Sequence, residues 1–221
     1  MKSLCVLVAC EESQEVCTAF RKLGHMAFSC DIQPCSGGHP EWHFQDDVLN
    51  YLNDSWDLII AHPPCTYLST AATQCHSIKV YSKDQIAERT MKRIKAMEFF
   101  MRFVNADCKH IAIENPVGVM SACYRKPDQY IHPYYFAKSE ADTINYVTKK
   151  TGLWLKGLPC LSYNCKLPNP MENAEIWKNG KKKNWTESNH GSVIRSKTFP
   201  GIAEAMATQW SDFILKELDN L

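Results

Sequence analysis

Trp56-Asp57-Leu58-Ile59-Ile60-Ala61-His62-Pro63-Pro64-Cys65-Thr66-Tyr67-Leu68-Ser69 is the stretch from which the rest of the sequence is read. The apolar run from Trp56 to Ala61 has the pattern of a strand buried on both faces, and two prolines then end it. Proline has no N–H for a sheet ladder, so Pro63 and Pro64 belong beyond the strand's C-terminal end, in a rigid turn. Open α/β sheets carry their chemistry at that end of their strands. Cys65 is therefore expected on a stiff loop at the sheet edge, as a nucleophile. No Lys or Arg adjoins it in sequence, so its ionisation would need a spatial neighbour, a helix N-terminus or the substrate. His62 is either such a neighbour or a residue that packs the turn.

The same strand-then-polar pattern recurs on both sides. Leu4 to Ala9 is a continuous apolar run, followed by Cys10-Glu11-Glu12-Ser13-Gln14 and then by Val16, Ala19, Phe20 and Leu23 at helical spacing, closed by Gly24. A second run, His25 to Cys30, ends at Asp31, the position that holds ribose hydroxyls in nucleoside-binding doubly wound folds. Pro34 to Trp42 reads as a loop, and Phe44 to Leu49 as a short strand end with the acidic pair Asp46-Asp47 before a brief helix. Beyond Cys65, a polar stretch to about Ser82 has no periodicity and is a candidate for ordering over substrate. Lys83 to Val104 is a helix with Ser82 as N-cap, and Ile94, Met97, Met101 and Val104 form its core face.

His110 to Ile113 is a further strand ending in Glu114-Asn115-Pro116-Val117-Gly118, which places a carboxylate and an amide beside the Cys65 loop if the two strands are neighbours. Thr151 to Leu155 reads as a strand after Lys149-Lys150, and Ile202 to Leu218 as a closing amphipathic helix. The expected fold is α/β, a doubly wound and mostly parallel sheet. Parallel topology gathers Glu11, Glu12, Ser13, Asp31, Cys65 and Glu114 at one edge. The first four suit a nucleoside-containing cofactor. The last two suit a covalent step, in which a thiolate adds to an electron-poor pyrimidine and makes a neighbouring carbon nucleophilic.

With 221 residues and 45% hydrophobic content, one domain spanning residues 1–221 is expected. A net charge of +1 supplies no global attraction for nucleic acid, so any such contact needs a local basic patch. The irregular insert at about 159–195 carries Lys178, Lys181, Lys182 and Lys183 between Trp177 and Trp185; this is either a solvated loop or a surface for phosphate pairing and base stacking. The eleven cysteines are scattered and odd in number, without a secretory signal, and read as reduced thiols. Cys30, Cys35, His39 and His43 are strung evenly through one loop rather than in separated pairs, so no metal site is expected. No apolar segment suits a signal peptide or a span, which predicts a cytoplasmic protein with no membrane partner.

Pro63-Pro64-Cys65-Thr66-Tyr67-Leu68-Ser69 resembles the Pro-Pro-Cys-Gln-x-x-Ser nucleophile motif of the cytosine-C5 DNA methyltransferases, and Glu114-Asn115-Pro116 resembles their Glu-Asn-Val motif. Four stretches are similar to the small methyltransferase-like proteins encoded by bacteriophages and prophages: Gly37 to His43, Glu114 to Gly118, Leu153 to Pro159 and Lys197 to Ala203. The resemblance implies a class I S-adenosylmethionine-dependent methyltransferase-like, Rossmann-related fold, acting in a bacterial host cell. It implies Cys65 as the nucleophile for cytosine C6, Glu114 as the contact to N3 and the exocyclic amine, and Asn115 as support for the Cys65 loop. S-adenosyl-L-methionine would be held by Asp31 at the ribose, Asp47 near the adenine, the Glu11-Glu12-Ser13 loop under the methionine part, and Pro63. The substrate it implies is DNA, its cytosine flipped from the duplex, with contacts from Ser69, Lys149, Lys150, Lys182 and Arg195. RNA, a free pyrimidine nucleotide, or nucleic-acid binding without catalysis are the alternatives. The first loop has no glycine, Thr66 stands at the motif's Gln, and no large target-recognition domain is present, so reading of long sites is not expected.

Overall fold

Each long strand is apolar on both faces because helices cover both sides of the sheet. In the computed structural model, which describes residues 2–70, 80–163, 167–172 and 197–220, β1 (Cys5–Ala9) and β4 (Leu58–Ala61) lie side by side at the centre. Val6, Val8, Leu58 and Ile60 point to one layer, formed by α1 (Glu15–Lys22) and the last helix, with Val16, Phe20, Met206 and Trp210. Leu7, Ala9, Ile59 and Ala61 point to the other, where Phe100 and Phe103 of α2 (Lys83–Val104) meet Trp154. The period of two along each strand thus sorts its side chains between two cores.

The sheet has seven strands in the order β3-β2-β1-β4-β5-β7-β6. Here β2 is Met26–Asp31, β3 His43–Gln45, β5 Ile111–Pro116, β6 Gln129–Ile131 and β7 Thr151–Lys156. Strands β1 to β5 run parallel, and β7 is antiparallel to both neighbours. From β1 the chain moves outward through β2 and β3, then returns to β4 on the other side of β1. That reversal opens a crevice beyond the C-terminal ends of β1 and β4, where ligands bind in doubly wound sheets. The architecture is the α/β, mostly parallel sheet expected from the sequence.

Helix α2 begins where Ser82 predicts it: the Ser82 hydroxyl accepts from Gln85 N, and the Gln85 side chain accepts from Ser82 N, a reciprocal capping box. Its expected core face is only partly realised. Met97, Met101 and Val104 pack against the core, but Ile94 is 41% exposed, because only the C-terminal half of the helix lies on the sheet. A second correction concerns β5, which continues through Glu114 and Asn115 to Pro116 rather than ending at Ile113; β7 pairs with it along that length, Glu114 opposite Leu153. A four-residue α3 (Met120–Cys123) follows, and the closing helix, α4, spans Pro200–Asp219. No described helix is long and apolar enough to cross a membrane.

Candidate active site

The loop after β1 turns sharply without glycine. Cys10 and Gln14 both adopt a φ of 59°, a left-handed conformation that costs a non-glycine residue roughly 1–2 kcal/mol. Side-chain bonds hold Gln14 there: its Nε2 donates to Ser29 Oγ and to the His39 carbonyl, and its Oε1 accepts from His39 N. Gly37 lies against this loop, where a Cβ would come within 2.5 Å of Gln14 Cβ, and Ser36 N donates to the Glu12 carbonyl. Glu12 is half-buried and Ser13 buried beneath this second loop. The Glu11 carboxylate is taken up by α1, accepting from Val16 N (2.7 Å) and Cys17 N (3.1 Å), so it caps the helix N-terminus. Burial pushes Glu11 up to about 7, against His62 and the two backbone donors.

The Cys65 loop and β5 are fastened to each other. Asn115 is buried, and its Nδ2 donates to the Pro63 carbonyl at 2.7 Å, the supporting role expected of it. Leu68 N and Ser69 N both donate to the Cys65 carbonyl, closing a turn that leaves Cys65 exposed. The turn then pairs with the residues after β5: Ser69 and Gly118 form an antiparallel bridge, Thr70 N donates to Val117 O, and Val119 N donates to Leu68 O. Gly118 has to be glycine for this, since a Cβ would lie 1.9 Å from the Leu68 carbonyl oxygen. Ser69, expected at nucleic acid, has its backbone in this clamp.

Beneath the clamp, His62 Nδ1 and Glu114 Oε2 share a hydrogen bond of 2.7 Å, with side chains 10% and 13% exposed. Burial opposes ionisation of Glu114, but the His62 hydrogen bond and charge, with Lys149 and Thr198, outweigh it and hold the carboxyl down to about 2. His62 is raised in turn: burial works against its charge, and Glu114 followed by Glu11 more than compensates. The ring and the carboxyl therefore share one proton, each favouring the charged form of the other. His62 Nε2 is buried with no hydrogen-bond partner. Thr198, buried at the start of the α4 segment, reaches Glu114 Oε2 at 3.5 Å. Sequence reading offered His62 as a neighbour of Cys65, not as the partner of Glu114, and it missed Thr198, which arrives from 84 residues away.

At the neighbouring strand ends, Asp31 Oδ1 accepts from Gln33 N and Asp47 Oδ1 from Leu49 N. Phe28, Phe44 and Tyr51 stack in succession beside the Asp46-Asp47 turn, and the Tyr51 hydroxyl donates to Asp46. Ile32, next to Asp31, is 71% exposed. Between them the Cys10 thiol is pushed far up by burial and by the charges of Asp31 and Asp47. A carboxylate for sugar hydroxyls beside bare apolar surface for a ring, at the switch point of the sheet, fits a nucleoside.

Three of the four residues considered for a metal are engaged separately. Cys30 is buried on the Asp46 carbonyl, His39 stacks on Trp42, and His43 bonds Ser29 and the Gln33 carbonyl. Among the described residues no group of three or more His, Cys, Asp or Glu could hold a metal ion. Of the basic residues, Lys149 acts on the His62–Glu114 pair and its Nζ lies over the Phe199 ring, whereas Lys150 lies over Tyr130. Lys182 and Arg195, with the lysine run between Trp177 and Trp185 and most of the 159–195 insert, fall outside the described residues. No protein-family model matches the chain, and no curated protein matches it either.

Proposed function

We propose that this protein methylates cytosine at C5 in DNA, using S-adenosyl-L-methionine, through an adduct on Cys65 assisted by Glu114. The observation that carries the reading is the clamp: Asn115 on the Pro63 carbonyl and the Ser69–Gly118 bridge tie an exposed thiol to the strand that bears a buried carboxylate. Such an arrangement serves a substrate attacked at one ring atom and protonated at another. The sheet's switch point beside it, with Asp31, Asp47 and the exposed Ile32, suits the adenosine part of the cofactor, and the loop at Glu11 to Ser13 with Pro63 would border the rest. The cofactor, when bound, supplies an electrophilic methyl group.

The chain's own residues account for the remaining steps. Cys65 Sγ, as thiolate, forms a bond to C6 of the flipped base, and the C5–C6 π electrons move toward C5 and the N3 side of the ring. Glu114 passes to N3 the proton it shares with His62, which neutralises that charge. His62, between Glu114 and Glu11, holds that proton against the ionised Glu114 between additions. After C5 is methylated, water takes the C5 proton, the C5–C6 double bond re-forms as the C6–S bond breaks, Cys65 leaves as thiolate, and N3 returns its proton to the pair.

Incubation with duplex DNA carrying 5-fluorocytosine tests the reading, because the fluorine blocks the final elimination. A gel-stable protein–DNA adduct that requires cofactor and disappears in Cys65→Ser is expected. Absence of an adduct with cofactor and a wide range of DNA sequences would overturn it. The same assay on RNA and on cytidine nucleotides separates the alternative substrates.

A further inference from the structure

Outside the Cys65–Glu114 crevice, Arg89 is a half-buried cation in no ion pair with a described residue. Arg89, on α2, sits over the Tyr67 ring at 5.2 Å, and its Nε is buried without a hydrogen bond. A guanidinium carries five donors in a planar fork. Leaving a buried donor unsatisfied is costly, the more so when the group is charged, and a cation–π contact offsets only part of that. The side chain is thus set for an acceptor that no described residue provides.

A cavity of about 170 Å³ opens at this point, lined by Tyr67, Tyr81, Gln85, Glu88, Arg89 and Lys92. Its one carboxylate, Glu88, is paired with Lys92 Nζ at 2.5 Å, and Lys92 feels the Arg89 charge as a neighbour. From Lys83 to Lys95 the helix carries Lys83, Arg89, Lys92, Arg93 and Lys95 against Asp84 and Glu88, so the surface around the cavity is cationic. The cavity is also joined to the nucleophile. Tyr67 belongs to the turn closed on the Cys65 carbonyl, and Arg93 Nε donates to the Tyr67 carbonyl at 3.0 Å.

We infer that this cavity binds a phosphodiester of the DNA strand that presents its base to Cys65, with Arg89 as the forked donor and Lys92 as the second positive charge. The inference rests on the reading of DNA as substrate. A planar guanidinium matches two phosphate oxygens at once. A strand with one nucleotide turned out of the stack needs its backbone held close to that nucleotide, and phosphate contacts supply such positioning without reading sequence.

The test is fluorescence anisotropy of the full-length protein on a labelled duplex with a mismatched cytosine, across a range of KCl concentrations. Arg89→Gln is expected to weaken binding equally on unrelated sequences and to reduce the slope of log affinity against log salt by ~0.9, with a similar further loss in Arg89→Gln/Lys92→Gln. Arg89→Lys, which keeps the charge, should restore most of the slope. Lys2→Gln, on an exposed lysine paired with Asp219, should leave it unchanged. Because Arg89→Gln loses the contact with Tyr67 but also removes the unsatisfied buried donor, the variant should melt within a few degrees of wild type. An Arg89→Gln protein with wild-type affinity and slope overturns the inference and leaves the DNA reading standing. Wild-type protein with no salt-dependent affinity for the duplex overturns both.

Discussion

Replacing His62 with Phe removes the donor that keeps Glu114 ionised while filling a similar space. Glu114 is held at about 2 against an ordinary value of 4.5. At about 1.4 kcal/mol for each tenfold change in proton affinity, that difference is ~3 kcal/mol of stability at neutral pH. The sign follows from linkage. A depressed carboxyl contributes fully above its unfolded value, and the contribution drains away as pH falls toward the folded one, reaching ~2 kcal/mol at pH 3.5. His62 is the other end of the same interaction: its raised value contributes at low pH and is lost as pH climbs through it, so the two are not added. Urea unfolding of His62→Phe, followed by tryptophan fluorescence, should show a loss of ~3 kcal/mol at pH 7 that shrinks on acidification, as the buried carboxyl of the variant takes up a proton instead. A loss below ~1 kcal/mol at pH 7, or one that grows toward pH 3.5, would refute the account of this pair.

Gly118→Ala should force the Leu68 carbonyl away and cost ~1–3 kcal/mol or more, with faster alkylation of Cys65 by iodoacetamide measured at the peptide level; unchanged stability and reactivity would mean the two segments are not in contact. Asn115→Ala leaves a buried Pro63 carbonyl unpaired and should cost ~1–3 kcal/mol in denaturant titrations. Asp31→Asn should lower affinity for S-adenosylmethionine about tenfold by calorimetry, the loss of one charge-assisted hydrogen bond, without changing the melting temperature, because Asp31 is half-exposed.

The sheet was legible because its central strands are unbroken apolar runs, and continuous runs bounded by turn residues arise where both faces are covered. Helix α2 was legible at its start, where Ser82 and Gln85 stand at capping-box spacing. Its exposed half was not, since Ile94 and the methionines have helical period whether or not a sheet lies under them. For the site, the strand ends named Cys65, Glu114 and Asn115 because parallel topology alone gathers them. The His62–Glu114 bond depends on a ring and a carboxylate meeting across adjacent strands 52 residues apart, and periodicity carries no such information. Glu11 was read as bordering a ligand; a carboxylate just ahead of a helix start could equally have been read as a cap.

Thr70 is pinned to Val117, and Ser82 is pinned by the capping box at the head of α2. The first anchor belongs to the turn that carries Cys65, and the second starts the helix that carries Arg93. The loop that bears the thiol is therefore fastened to two separate elements, to the segment after β5 through Val117 and to α2 through Arg93 on the Tyr67 carbonyl, so a strain on either one is shared with the other.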